Sequence, residues 1–153
     1  MAVAWVSEFD TGIAEIDEQH ENILHYINQL AACKSKAAVC GVLEDLIEYT
    51  TLHFKFERCV LQRTGLKFAA LYKFDHEKFI EHLASFVQRH HQGEDITDEL
   101  YMMLSTWLIN HLKRDHAAYR TLLQGGMAGG IAERIQTENS AWKDRYYHWS
   151  LTE

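Results

Sequence analysis

Residues 39–63 read VCGVLEDLIEYTTLHFKFERCVLQR. At the 3.6-residue period of an α-helix, Leu46, Thr50, His53, Glu57 and Val60 fall on one stripe. The stripe is apolar at its ends and interrupted in the middle by His53 and Glu57. An imidazole and a carboxylate set among Leu and Val must be paired or bound, because burying them unpaired costs several kcal/mol by a rough count. His53 and Glu57 are one turn apart and share a helix face. Other i, i+4 metal sites follow the same geometric logic.

Three more stretches carry the helical period. The first runs from about Asp17 to Lys34, with Ile13, Ile16, His20, Ile23, Ile27 and Leu30 aligned. The stretch quoted above is the second, and Gly65 is its stop signal. A third spans Ala69 to His91, with Tyr72, His76, Phe79, Leu83 and Phe86 aligned and Gly93 at its end. The fourth follows an N-cap at Asp95 or Thr97 and reaches about Leu123, with Leu100, Leu104, Trp107, His111 and Asp115 aligned. The chain contains no proline, the strongest helix breaker. Short connections make sequential helices antiparallel.

The expected fold is therefore all-α, an up-down-up-down four-helix bundle over about residues 13–123. An N-terminal arm with Trp5 and Phe9 packs on its outside. A glycine-rich joint at 124–130 leads to a short helical extension at about 131–149. At 153 residues this is one domain.

Each stripe is interrupted by a metal-capable side chain: His20, His53 with Glu57, His76, and His111. A single histidine on an apolar stripe is more often a hydrogen-bonded core residue than a ligand. The same coincidence on all four helices favours metal. His25, His82, His90, His91 and His148 lie off these stripes or near element ends and read as solvated. Cys59 lies off the Glu57 face and reads as an inert buried thiol.

Composition excludes several classes. Net charge is −7, from 22 acidic against 15 basic residues, which argues against a nucleic-acid surface. No apolar run approaches the roughly 20 residues that span a bilayer. The opening MAVAWVSEFD has neither a basic nor a long apolar segment, so no signal peptide is expected. Three cysteines, Cys33, Cys40 and Cys59, without a CxxC pair read as reduced thiols in the cytoplasm.

The motifs resemble those of the bacteriohemerythrins, non-haem di-iron oxygen-binding bundles. Trp5, Thr11-Gly12-Ile13 and Ile16-Asp17-Glu18-Gln19-His20 are similar to the opening signature. Tyr49-Thr50-Thr51-Leu52-His53-Phe54 with Glu57, His76 with Phe79, and Trp107-Leu108-Ile109-Asn110-His111-Leu112 with Tyr119 are similar to the later ones. The resemblance covers about residues 5–122. It implies two iron ions, or one, held by histidines and bridged by carboxylates. His20 and His53 would serve an iron with an open position, His76 and His111 the other, and Glu57 would bridge. The implied partner is O₂ or another small diatomic ligand such as nitric oxide, for storage, delivery or sensing. No protein partner is implied.

Two positions depart from the family pattern. Tyr72 stands where the third helix carries a second histidine. It reads either as a phenolate ligand, since a bound metal favours the deprotonated form, or as core packing. His116 stands where the fourth helix carries a bridging aspartate, and Asp115 comes one place early. On an ideal helix Asp115 lies roughly 40° from His111 and position 116 roughly 140°. The family spacing makes His116 the expected inward residue and ligand; the alternative is that Asp115 substitutes as the bridging carboxylate, which would need a local distortion of the helix. These departures keep two alternatives open: a non-haem iron enzyme acting on peroxide or nitric oxide, and a degenerate site with one metal or none. Zinc also suits such donors.

Overall fold

The computed structural model describes residues 3–63, 69–124 and 130. Four helices make up the architecture: α1 Ala14–Ala32, α2 Lys36–Arg63, α3 Ala69–His91 and α4 Thr97–Gln124. No strand occurs among the described residues. α1 packs on α2 and α4, and α2 packs on α3. None of the described helices is long and apolar enough to cross a membrane. The expected stop at Gly65 and the extension at 131–149 lie outside the described residues.

Local chemistry sets the helix ends. α2 begins three residues before the expected Val39, because the Ser35 hydroxyl accepts from the Ala38 N–H at 3.1 Å and caps an extra turn. α3 ends in a Schellman motif. The Glu94 N–H bonds Arg89 O at 3.1 Å, the Gly93 N–H bonds His90 O at 3.0 Å, and Gly93 takes a φ of 91° that a side chain would resist. Before α4 the Asp95 side chain accepts from the Thr97 N–H at 3.3 Å.

The arm runs along the outside of the bundle as expected, with one difference. Asn28 on α1 pairs with both backbone groups of Val3 at 2.9 Å, and a short 3-10 turn at Ser7–Phe9 follows. Phe9 does not stay outside. It is buried in the core beside Ile23 and Ile27, with Trp5 edge-on against it. A lone large aromatic at the arm's end gains most by leaving water.

Two apolar clusters fill the interior. The larger contains Ile23, Ile27, Leu30, Leu43, Leu46, Leu83, Phe86, Leu100 and Leu104. The smaller holds Ile13, Ile16, Phe56, Val60, Leu61, Tyr72 and Tyr119. On every helix the metal-capable residues fall between members of the two clusters: His20 between Ile16 and Ile23, His76 between Tyr72 and Phe79. The bundle therefore places one polar layer between two apolar ones.

Candidate metal centre

His20, His53, Glu57, His76, His111 and Asp115 are all buried, none more than 3% exposed. Their convergence follows from the stripes: each replaces an apolar residue on the core face of its helix. One donor atom from each of His20, His53, Glu57, His111 and Asp115 lies within 4.8 Å of all the others.

Glu57 is the centre of the layer. Its Oε1 is 3.3 Å from His20 Nε2, 3.3 Å from His53 Nε2 and 3.5 Å from His111 Nε2. Its Oε2 faces the other way, 3.4 Å from His76 Nε2. Asp115 Oδ2 is 3.3 Å from His20 Nε2 and 3.0 Å from His111 Nε2. His111 Nε2 is 3.2 Å from His20 Nε2 and 3.4 Å from His53 Nε2.

Imidazole nitrogens and carboxylate oxygens turned toward one buried point make up the kind of donor set that holds a cation. When each bond to an ion is about 2.1 Å, donors are spaced by roughly 3.0–3.4 Å. The observed spacing suits that range. Glu57 Oε2, both Asp115 oxygens and His76 Nε2 are buried without a hydrogen-bond partner. Orphans of this kind are rare and need an explanation, and the donor set present fits a metal.

Neighbouring side chains orient the layer. His53 Nδ1 is 2.7 Å from Gln19 Oε1, to which its N–H donates, leaving Nε2 free to face the centre. Gln19 stands in the opening motif directly before His20 and is itself buried, but nothing in the sequence pairs it with His53. Thr50, polar on an apolar stripe, satisfies itself by donating to Leu46 O at 2.7 Å. Phe54 stacks on His76 at 3.8 Å, and Trp107 stacks on His111 at 4.8 Å.

Charges within the layer reflect burial and carboxylates. Burial pulls His53 down to about 4, with Glu57 only partly opposing. His76 is lowered, again by burial first. Burial also acts against a charged His111, but Asp115 and Glu57 outweigh it and push it up to about 10. In the same way the nearby Asp115 and Glu57 carboxylates overcome burial and raise His20. Burial would raise Glu57, yet the charges of His53 and His111 hold it well below the usual carboxylate range.

The two unusual positions resolve differently. His116 does not face inward. It is half-buried on the flank of α4, where its Nδ1 is 2.6 Å from Asp10 O. Asp115 takes the inward place, fully buried. α4 runs as an unbroken α-helix through this turn, so 3.6-residue geometry keeps position 115 beside His111 and turns 116 away. The expectation that His116 points into the layer as a ligand is corrected on that ground.

Tyr72 does face the layer. It is 4% exposed, edge-on to His76 at 5.8 Å, and its hydroxyl has no hydrogen-bond partner. Burial, followed by the charges of Asp115 and Glu57, raises its pKa, so in the protein alone it is a neutral phenol. The Arg114 guanidinium lies 4.3 Å over its ring and pairs with Asp75. His25, His82 and His91 are exposed and His90 half-buried, while His148 lies outside the described residues. Cys59 is half-buried rather than fully enclosed.

Histidines and carboxylates from all four helices, meeting in one buried layer, define a cation-binding helical bundle. The chain belongs to the hemerythrin family: the hemerythrin HHE cation binding domain matches residues 11–146. It is 37% identical over 137 residues to a bacteriohemerythrin of Pseudomonas aeruginosa (strain UCBPP-PA14), covering 88% of this chain and 90% of that one. A bacteriohemerythrin of Stenotrophomonas maltophilia (strain R551-3) is 39% identical over 120 residues, covering 76% and 78%. The crystal structure of wild-type hemerythrin superposes with a TM-score of 0.71 at 28% identity, over 76% of this chain and 95% of that one.

Proposed function

We propose that this protein is a bacteriohemerythrin-like iron protein that binds O₂ or a related small diatomic ligand, for storage, delivery or sensing. The observation that carries the reading is the buried layer itself, four of whose donor atoms have no hydrogen-bond partner, in a chain that belongs to this family. Iron bound there would supply a redox-active centre for a diatomic ligand.

In this reading His20, His53, His111, Asp115 and Glu57 would hold one ion. Glu57 Oε2 and His76 begin a second position, with Tyr72 beside them. Glu57 directs one oxygen to each side, as a bridging carboxylate must. Asp115 takes the role that His116 cannot. This grouping departs from the family-based expectation, since His111 sits with His20 and His53 rather than with His76.

A groove beside the layer could admit a small ligand. The seam between α3 and α4 opens as a groove of about 690 Å³, lined among others by Phe79, Met103, Trp107 and Arg114, with His111 among its walls. Its rim carries charged side chains such as Asp75, Lys78 and Arg114, while Phe79, Met103 and Trp107 give it apolar surface and Trp107 stacks on His111. Free cysteines at 33, 40 and 59 fit the reducing cytoplasm expected from the sequence.

A second reading, a single ion per chain, is favoured by His76 standing outside the tight five-donor group. Metal analysis of the purified protein, joined to absorption spectra before and after exposure to air, tests both. Two irons per chain and a reversible visible change support the di-iron reading. One iron supports the second. A protein that takes up no iron overturns both.

A further inference from the structure

A second set of metal-capable side chains lies at the other end of α2. The geometry points to a surface site for a borderline-soft divalent cation such as zinc, formed by Cys40, Glu44 and His91. Cys40 and Glu44 are one turn apart on α2, and His91 is the last residue of α3. Cys40 Sγ is 3.6 Å from Glu44 Oε1 and 4.0 Å from His91 Nε2, and the three donor atoms lie within 4.8 Å of one another.

Tetrahedral zinc bonds of about 2.0–2.3 Å space the donors by roughly 3.3–3.8 Å. The Cys40–Glu44 distance already falls in that range and the Cys40–His91 distance exceeds it by a few tenths of an ångström, while the Glu44 and His91 donors, within 4.8 Å of each other, would draw together on binding. Cys40 lies 13 residues before His53 on the same helix, which is about 20 Å along the axis. The site is thus separate from the buried layer.

The donors decide the cation. A thiolate with an imidazole suits zinc, while magnesium and calcium take all-oxygen sets. Thiolate and carboxylate together balance a 2+ charge. Three protein donors leave a fourth position for water. Two of the donors sit on α2, and the third ends α3, whose backbone turn is fixed. The Schellman motif fixes the end of α3, and Lys36 Nζ bonds Gly93 O at 3.1 Å, tying that turn to the start of α2. In the absence of a cation, burial and then the neighbouring Glu44 push the Cys40 thiol up, so it stays protonated and donates to Glu44. Metal uptake releases that proton. A bound cation would clamp the start of α2 to the end of α3.

The test uses the iron-loaded protein, so that the buried layer is already filled, and zinc as the probe. The expected result is one added zinc per chain, with X-ray absorption at the zinc edge showing one sulfur at about 2.3 Å beside lighter donors. Cys40→Ser and His91→Ala, both checked for native helicity, each weaken zinc binding on the order of tenfold or more. Cys33→Ser leaves binding unchanged. The buried layer contains no cysteine, so a sulfur in the zinc shell cannot come from it. A zinc shell without sulfur, no added zinc, or unchanged affinity in Cys40→Ser or His91→Ala overturns the proposal.

Discussion

The two halves of this bundle are built on the same four helices but face opposite physical demands. In the half containing Leu30, Leu46, Leu83 and Leu104, the helices meet through aliphatic side chains that are fully buried and need no partner. One turn or two further along, the same faces present two carboxylates and four imidazoles with almost no exposure. The first half gains stability from leaving water. The second loses hydration and regains it only through mutual contacts or a cation. The apolar half therefore sets the fold, and the polar layer sets what the fold holds.

The largest expected contrast comes from one substitution in each half. Glu57→Ala removes the carboxylate that reaches both sides of the layer and should lower iron per chain by on the order of tenfold or more, with helicity retained. Leu46→Ala leaves a cavity and should cost about 2–5 kcal/mol in chemical denaturation. Its folded fraction should still carry iron at the wild-type ratio. Iron loss in the Leu46 variant at equal folded fraction would break the division between the halves.

Adjacent residues on α4 sharpen the same comparison at finer scale. Asp115→Asn should weaken iron binding, because it removes a buried charge that faces His20 and His111. His116→Ala should leave iron content unchanged. It loses one hydrogen bond to the arm and should cost about 0.5–1.5 kcal/mol by thermal denaturation. The reverse pattern would place His116, not Asp115, at the metal.

Tyr72 stands where the polar layer meets the smaller apolar cluster, buried in that cluster and edge-on to His76. In metal-free protein Tyr72→Phe should be neutral or slightly stabilising, since the lost hydroxyl has no partner. In iron-loaded protein the same change should abolish a phenolate-to-iron(III) band in the visible spectrum. Identical spectra before and after would assign Tyr72 to packing alone.

The last contrast is one of pH. His111 is raised from 6.5 to about 10 by carboxylates that outweigh its burial. Its contribution to the stability of the metal-free fold is fully present below about 6.5 and is lost as pH rises through about 10. A bound cation takes the proton's place, so the loaded protein lacks this loss. The difference in melting temperature between loaded and metal-free protein should widen as pH rises from 6.5 toward 10. A constant difference would mean that His111 is not charged in the metal-free layer.

Much of this was legible in the amino-acid order. The 3.6-residue period located all four helices, because burial of one face is a one-dimensional property of the chain. The same period singled out His20, His53, Glu57, His76 and His111, since a polar residue on an apolar stripe is visible without coordinates. Gly93 announced the end of α3 through its conformational freedom. Tertiary structure decided the rest. Asp115 rather than His116 faces inward because an unbroken helix fixes angle by residue count, whereas the family spacing had favoured the other. Gln19 became legible only once α1 lay against α2 and brought its oxygen to His53. The Cys40, Glu44 and His91 cluster joins residues far apart in the chain, and no local pattern encodes a distance between two helices. Periodicity tells each helix which face to bury; only packing tells it which side chains it will meet there.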